Sequence, residues 1–565
     1  MIIDELSKLV TSVAQSLGYT ESLRVIKSNR PELCDYQCDD VFKLVKLYHK
    51  SPMEIGNEIV NGINSLENFE GYFDRVEFCN PGFINLTLSN EFINKSLIKM
   101  NNNDKFNLPK LNGVNTYVID YGGPNVAKPL HVGHLRPAIV GESIKRIIDY
   151  VGHKTIADVH LGDIGLPIGE VIYACLQDNK KPEDITLDYL NEVYPKMSAL
   201  VKVDEVIKEE CATIIKEVQD KKNYLDYWRV ICELSKKDIK RLYDYLDVSF
   251  DYWYSESDAY NYIPKVEEYL ENKGLLEESN GAKVVFINKD TDKIEYPPLI
   301  FKKSNSAYLY QSSDLGTIWQ RMEDFNPNAI LYITDARQAL HFEQVFRVCE
   351  LSGMTNHTKL LHLPNGTING IDGKPYKTRS GETPKLDSLF KEVKEIFISK
   401  KETNKDMNDE DIDKIVNSII KFADLQNSRD KDYIFDISKF SDTQGKTGPY
   451  ILYTYLRMNK IVEKYTTDIN KLTNNIYNNY DRDLRLGILD YFESIESAFR
   501  EFKPSFIADY IYNLCVLMNS FYQNNHIANI EDNDKLNDWV SIIKLANNII
   551  LKMLDLLIIK VPTEM

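Results

Sequence analysis

The run Pro124-Asn-Val-Ala-Lys-Pro-Leu-His-Val-Gly-His134 ends in two histidines separated by a valine and a glycine, a pairing suited to phosphate chemistry. The segment before it, Asn115-Thr-Tyr-Val-Ile-Asp120, is β-branched and aromatic, whereas Leu135, Ile139, Ile144, Ile148 and Val151 recur at helical spacing until Gly152 supplies a stop. His131 and His134 therefore stand at a strand-to-helix turn. The first N–H groups of a helix are unpaired and carry partial positive charge, and imidazoles added there can donate to phosphate oxygens as charge builds in a transition state. Gly133 lets a flat base approach the backbone closely. The chemistry implied is that of ATP. With 9 His and 25 Gly in 565 residues, a chance His-x-Gly-His is expected in about 0.6% of such chains, so coincidence explains it poorly. Two ordinary surface or core histidines are the alternative, and a zinc site would lack a nearby Cys or carboxylate cluster to complete its ligands.

Four segments are expected to hold these residues in place. Residues 1–112 begin with a helical pattern (Ile3, Leu6, Val10, Val13, Leu17), later show the strand-like Gly82-Phe-Ile-Asn-Leu-Thr-Leu88, and end in a linker, Asn101-Asn-Asn-Asp-Lys-Phe-Asn-Leu-Pro109. This reads as a small α/β unit. From 113 to 385, strands such as Asn328-Ala-Ile-Leu-Tyr-Ile-Thr334 alternate with helical stretches, the βαβ pattern of a parallel sheet that binds ligands at its carboxyl edge. Residues 386–440 read as a charged helical connection. Residues 441–565 are helical, with one apolar stripe through Phe506, Tyr510, Leu514, Leu517 and Phe521 and another through Trp539, Ile542, Ile543, Ala546, Ile549 and Ile550.

At 65.4 kDa the chain exceeds what one core supports. Its 43% hydrophobic and 27% charged residues are those of an ordinary globular protein. The acidic start Met-Ile-Ile-Asp-Glu is unlike a signal peptide, and no apolar run approaches a membrane span, so a cytoplasmic, membrane-free protein is expected. Its 8 scattered cysteines form no disulfide framework. A net charge of −17 disfavours indiscriminate nucleic-acid binding, leaving shape and local basic patches to meet any RNA.

Taken together, the motifs resemble those of the class I arginyl-tRNA synthetases. They run in family order along nearly the whole chain: Pro81-Gly-Phe-Ile-Asn85, Pro124 to Arg136, Leu161-Gly-Asp-Ile-Gly165, Ser255-Glu-Ser257, Tyr310-Gln-Ser-Ser-Asp314, Gln338-Ala-Leu-His341, Gly373-Lys-Pro-Tyr-Lys-Thr-Arg-Ser-Gly381, and Gly445-Lys-Thr-Gly-Pro-Tyr450 through Arg457. The resemblance implies a Rossmann-type catalytic domain, an N-terminal domain contacting the tRNA elbow, and a C-terminal all-helical anticodon-binding domain. It implies ligation of L-arginine to tRNA-Arg by a monomer, with ATP and its Mg²⁺ as substrate and no tightly bound cofactor or zinc.

The resemblance also assigns roles. His131 and His134, with Gly133 between them, would hold ATP. Lys374 and Lys377 would belong to a divergent Lys-Met-Ser-Lys-Ser loop at the pyrophosphate, Lys128 taking over where that loop lacks a well-formed second lysine; a basic surface turn is the alternative for Lys374, Lys377 and Arg379. Glu256 and Asp314 would clamp the guanidinium, a planar fork of donors that wants carboxylates, with Tyr310 beside them. Asn125, His131 and Gln338 would hold the amino-acid backbone end. Tyr450, Tyr453 and Arg457 are candidates to meet the anticodon, and helix packing serves the tyrosines equally well.

The chain also departs from the family. Ile164 and Leu166-Pro167 replace the usual Trp and Thr-Gln or Leu-Gln, while Asp538-Trp539 and Thr563-Glu564 stand where arginines are common. Losing those arginines is expected to weaken an anticodon contact. A duplicated synthetase-like protein with a regulatory or resistance role is the alternative function.

Overall fold

The computed structural model describes residues 2–304, 307–376, 384–400 and 407–565. These fall into two compact units: Met1–Lys110, Tyr453–Glu496 and Asp509–Met553 form the first, and Leu111–Leu452, Ser497–Ala508 and Leu554–Met565 the second.

In the first unit the opening apolar pattern forms the helix Ile2–Ser16, which buries Leu6, Val10 and Val13. Four antiparallel strands, β1 (Val25–Lys27), β2 (Tyr36–Cys38), β3 (Phe73–Cys79) and β4 (Phe83–Leu88), lie in the order β1-β2-β4-β3. Segments far along the chain complete this unit. Arg482 donates to Asp35 (2.6 Å) and to the Leu88 carbonyl (2.9 Å), while the buried Arg485 binds Asp481 (2.6 Å) and Asn94. Asp481 also accepts from the Trp539 indole (3.1 Å), and Asp538 from the Thr473 amide (3.1 Å). Both Asp538 and Trp539 are buried. At these two positions the chain thus carries interior hydrogen bonding and aromatic packing.

The second unit contributes β5 (Thr116–Tyr121), β6 (Lys154–Asp158), β7 (Glu277–Ser279), β8 (Ala282–Val285), β9 (Leu299–Lys302), β10 (Ala329–Ile333), β11 (Lys359–His362), β12 (Ile368–Asn369) and β13 (Tyr433–Ile434). Its central sheet is wholly parallel, in the order β11-β10-β5-β6. Val118 of β5 lies opposite Ile330 and Ile156, and this layer packs on Leu315, Ile318, Val345 and Val348 from two helices. Burial on both faces explains the continuous apolar strands. Sequence order reverses between β5 and β10, which opens the crevice where such sheets bind ligands.

Between β5 and β6 runs the helix Val132–Val151, ending at Gly152 with φ 110°. It lies so close to the sheet that a Cβ at Gly141 would sit 2.3 Å from the Tyr121 ring. Arg136 is buried, donates to the carbonyls of Lys431 (2.7 Å) and Ser428 (3.1 Å), and lies beside Asp424 (3.3 Å). Farther along this helix Ser143 donates to the Leu556 carbonyl (2.7 Å), and the buried Lys421 donates to that of Ile558 (2.8 Å). Thr563 ends the same strap on Asp411, its amide 3.0 Å from the carboxylate. Glu564, next to Thr563, is exposed.

Candidate active site

A cavity of about 540 Å³ lies at the carboxyl ends of β5, β6 and β10. Three short stretches beyond those strands are stitched side by side. The Val126 amide bonds the Gly162 carbonyl (2.9 Å), the Leu161 amide that of Tyr254 (2.8 Å), and the Glu256 amide that of Leu161 (2.9 Å). Asn125 and Glu256 are thereby brought to one cavity from positions 131 residues apart (256 − 125). Gly162 leaves room for the Asn125 amide at this seam, since a Cβ there would stand 2.0 Å from Asn125 Oδ1 and displace it.

At the cavity's nucleotide-like end, His131 caps the helix that begins at Val132, and Gly133 and His134 form part of the wall. The two imidazoles lie 4.0 Å apart. His131 Nδ1 accepts from the Gly133 amide and His134 Nδ1 from the His131 amide, each at 3.1 Å. A nitrogen that accepts an N–H carries no hydrogen, so in each neutral ring the proton sits on Nε2. Burial, then the charge of Lys128, lowers His131 to about 4; burial, His131 and Lys128 lower His134 to about 3. Both rings are neutral donors near neutral pH, and among the described residues Lys128 is the lysine whose charge acts on both.

At the other end, Tyr310 and Asp314 lie one helical turn apart on the helix Tyr310–Phe325, so both face the cavity alongside Glu256. Burial, and then the negative charges of Asp314 and Asp163, push Glu256 up to about 8. Asp163 is itself held by the amide (2.9 Å) and hydroxyl (2.6 Å) of Ser257. Among the described residues neither Glu256 nor Asp314 is paired with a lysine or arginine, and two such carboxylates in one cavity make a receptor for a cationic group. Gln338, at the start of the helix Ala339–Ser352, lines the same cavity.

Several residues on or behind the cavity wall carried no assignment from sequence. Asp120 and Asp158 lie opposite each other on β5 and β6, and Arg321 bridges them at 2.7 Å and 2.6 Å. Burial opposes the charge on Arg321, but the two carboxylates outweigh it and hold the guanidinium firmly protonated. His160, just before Leu161-Gly-Asp-Ile-Gly165, lines the cavity with φ 33°, and its ring nitrogens are buried without a hydrogen-bond partner among the described residues. His341 Nε2 bonds Asp314 Oδ2. A histidine three residues after Gln338 was the available signal for this contact.

Other expected site residues lie elsewhere. Lys374 is exposed on a turn closed by the Gly370 amide to its carbonyl (2.8 Å) and is not part of the cavity wall. Lys377 and Arg379 lie outside the described residues. On the helix Gly448–Lys464, Tyr453 is exposed, whereas Arg457 bonds Asn519 and stacks over Tyr522 at 4.7 Å. Tyr450, one turn into that helix, is half-buried. Of the departures, Pro167 sits in the first turn of the helix Leu166–Gln177, where its missing N–H is harmless, and Ile164 is buried beside Asp163, whose carbonyl accepts from Trp228 (2.7 Å).

Comparison with known proteins agrees with this geometry. Residues 96–437 match the catalytic domain of the class I (R) tRNA synthetases, 1–88 the arginyl tRNA synthetase N-terminal domain, and 451–565 the DALR anticodon binding domain. The chain is 36% identical to the arginine–tRNA ligase of Alkaliphilus oremlandii and 38% identical to that of Agathobacter rectalis, covering 100% of both partners in each case. Among solved structures it resembles the arginyl-tRNA synthetase of Plasmodium falciparum (TM-score 0.80, 25% identity, 100% of this chain and 99% of that one). It shares its fold with that of Thermus thermophilus (TM-score 0.81, 19% identity, 100% of each chain). No helix among the described residues is long and apolar enough to cross a membrane. With three domain matches in sequence order, full-length relatives and a carboxylate-lined cavity beside paired histidines, the chain belongs to the class I arginyl-tRNA synthetases.

Proposed function

We infer that this chain ligates L-arginine to tRNA-Arg. The arginine carboxylate attacks the α-phosphorus of ATP, pyrophosphate leaves, and the terminal ribose hydroxyl of tRNA then takes the arginyl group from the adenylate with release of AMP. No protein nucleophile is needed, so positioning and charge stabilisation are the protein's task. The observation that carries this reading is the pairing of Glu256, Asp314 and Tyr310 in one cavity with the Nε2–H donor His134.

In this reading Glu256 and Asp314 hold the guanidinium, Asn125, His131 and Gln338 hold the amino-acid end, and His131, Gly133 and His134 hold ATP with Lys128 near its phosphates. Mg²⁺ enters with ATP, riding on the phosphates with few protein ligands. Lys374 and Lys377 belong to the proposed pyrophosphate loop, and Tyr450, Tyr453 and Arg457 to the proposed anticodon surface, where the exposed ring of Tyr453 is suited to stacking on a base. The proposed segments are those of the sequence blocks, and the protein is proposed to act as a cytoplasmic monomer. Charging of total tRNA by the purified protein tests the function: arginine incorporation is expected, and its absence with arginine binding retained would favour the synthetase-like paralogue.

The cavity makes two quantitative expectations. Asp314→Ala is expected to raise the KM for arginine about 10- to 100-fold with little change for ATP, since one side of a charge-assisted clamp is lost. Equal losses for both substrates would mean that the guanidinium site is elsewhere. Arginine binding should also release protons. Glu256 has its free-protein pKa raised to about 8, so it is mostly protonated at pH 7, and a bound guanidinium favours its ionised form. Affinity therefore rises with pH, about tenfold per unit below 8, and levels off above it. Titration calorimetry in buffers of different ionisation enthalpy should find release of roughly 0.9 proton at pH 7; none released would contradict it.

A further inference from the structure

Asp314 differs from Glu256 in having a neighbour that holds it. The helix Tyr310–Phe325 carrying Asp314 packs against the helix Ala339–Ser352, whose third residue is His341. His341 Nε2 meets Asp314 Oδ2, and both side chains are about four-fifths buried, at 23% and 21% exposed. A carboxylate only accepts, so the ring nitrogen donates and Oδ1 is left for another partner. The imidazole is in turn fixed from behind. Its ring meets Phe342 edge-on at 5.3 Å, and Phe342 stacks on His362 at 4.7 Å, whose Nε2 is 3.0 Å from the Thr334 hydroxyl.

We propose that His341 is a positioning residue for arginine selection: it fixes the plane of the Asp314 carboxylate so that Oδ1 faces the incoming guanidinium. This rests on the reading that Glu256 and Asp314 receive the arginine side chain. Without the His341 donor, Asp314 can turn about its χ angles, and a planar fork loses its matching acceptor geometry although the charge remains. The contact also keeps one oxygen occupied, so that carboxylate is already oriented before arginine binds.

The test compares His341→Leu, His341→Gln and Asp314→Asn in the full-length protein, with KM for arginine and for ATP measured separately in tRNA charging. His341→Leu should raise the arginine KM about tenfold with the ATP KM nearly unchanged. His341→Gln, which keeps an N–H donor at a similar reach, should restore most of the loss. A role confined to helix packing would instead lower activity and melting temperature together, with glutamine rescuing neither, and would overturn the inference. Asp314→Asn separates the two levels of argument. If it raises the arginine KM while His341→Leu does not, the positioning role fails and the guanidinium pocket stands; if Asp314→Asn leaves arginine unaffected, the pocket reading itself fails.

Discussion

His134→Ala is expected to lower the rate of adenylate formation by about 10²–10³ while leaving arginine affinity within about twofold. His134 Nδ1 is occupied by the His131 amide (3.1 Å), so the only hydrogen the ring can offer is on Nε2. Because burial holds this ring at about 3, it neither gains nor loses a proton near neutrality; it contributes a fixed dipole aimed at a developing charge. The rate loss should therefore carry no histidine titration between about pH 6 and 8. The substitution also removes a cap at the helix start, which costs about 1 kcal/mol and cannot account for a rate change of that size. Single-turnover rates with tRNA present measure the effect. A rate within about tenfold of the parent would show that His134 does not meet the transferring phosphate.

Arg321→Met should be the most damaging change to the fold, destabilising it by about 3–5 kcal/mol. The guanidinium is fully buried beneath the sheet edge, bonded to Asp120 and Asp158 on neighbouring strands. Removing it leaves two carboxylates side by side with no cation, and each must then be buried unpaired or take up a proton. Burial already raises Asp120, and losing the Arg321 charge that lowers it raises it further, so the loss is smallest at low pH and deepens as pH rises through the raised folded pKa of Asp120. Denaturant midpoints across pH measure this slope. Adding Asp120→Asn and Asp158→Asn should recover much of the midpoint, because amides can be buried without charge. An unchanged midpoint for Arg321→Met alone would show that the cluster is not an obligatory ion triad.

Much of the site was legible because its signals are local. A β-branched run followed by His-x-Gly-His and a helical stripe needs only neighbouring residues to be read, and the strand Thr116–Tyr121 and helix Val132–Val151 stand where that pattern places them. Gly152 ends the helix with a positive φ, as a terminal glycine should. Tyr310 and Asp314 were named only through family likeness, and it is the helix Tyr310–Phe325 that turns their spacing of four into one shared face on the cavity. Lys128 gave no local signal at all and was named only through family likeness; that its charge acts on both histidines is seen only in the folded chain.

The residues that had to be found in three dimensions share another physical character. Arg321 lies far along the chain from Asp120 and Asp158, and a lone arginine in an amphipathic helix gives no sign that strand pairing will set two carboxylates above it. An RNA-facing arginine is expected in place of Asp538, yet a helix side chain's direction depends on which neighbour covers it, and here Thr473 bonds Asp538, while Trp539 is buried in the apolar stripe that the periodicity predicts. His341 could be counted in a motif but its partner could not.

The sequence by itself determined the family, the parallel-sheet catalytic fold and the strand-to-helix turn that carries the paired histidines, because these are written in contiguous patterns of periodicity, turn chemistry and ordered motifs. Only the tertiary structure decided which carboxylate is held by a histidine, which is pushed toward neutrality, and which arginines are interior struts, because hydrogen-bond geometry and desolvation are set by elements that meet from distant parts of the chain.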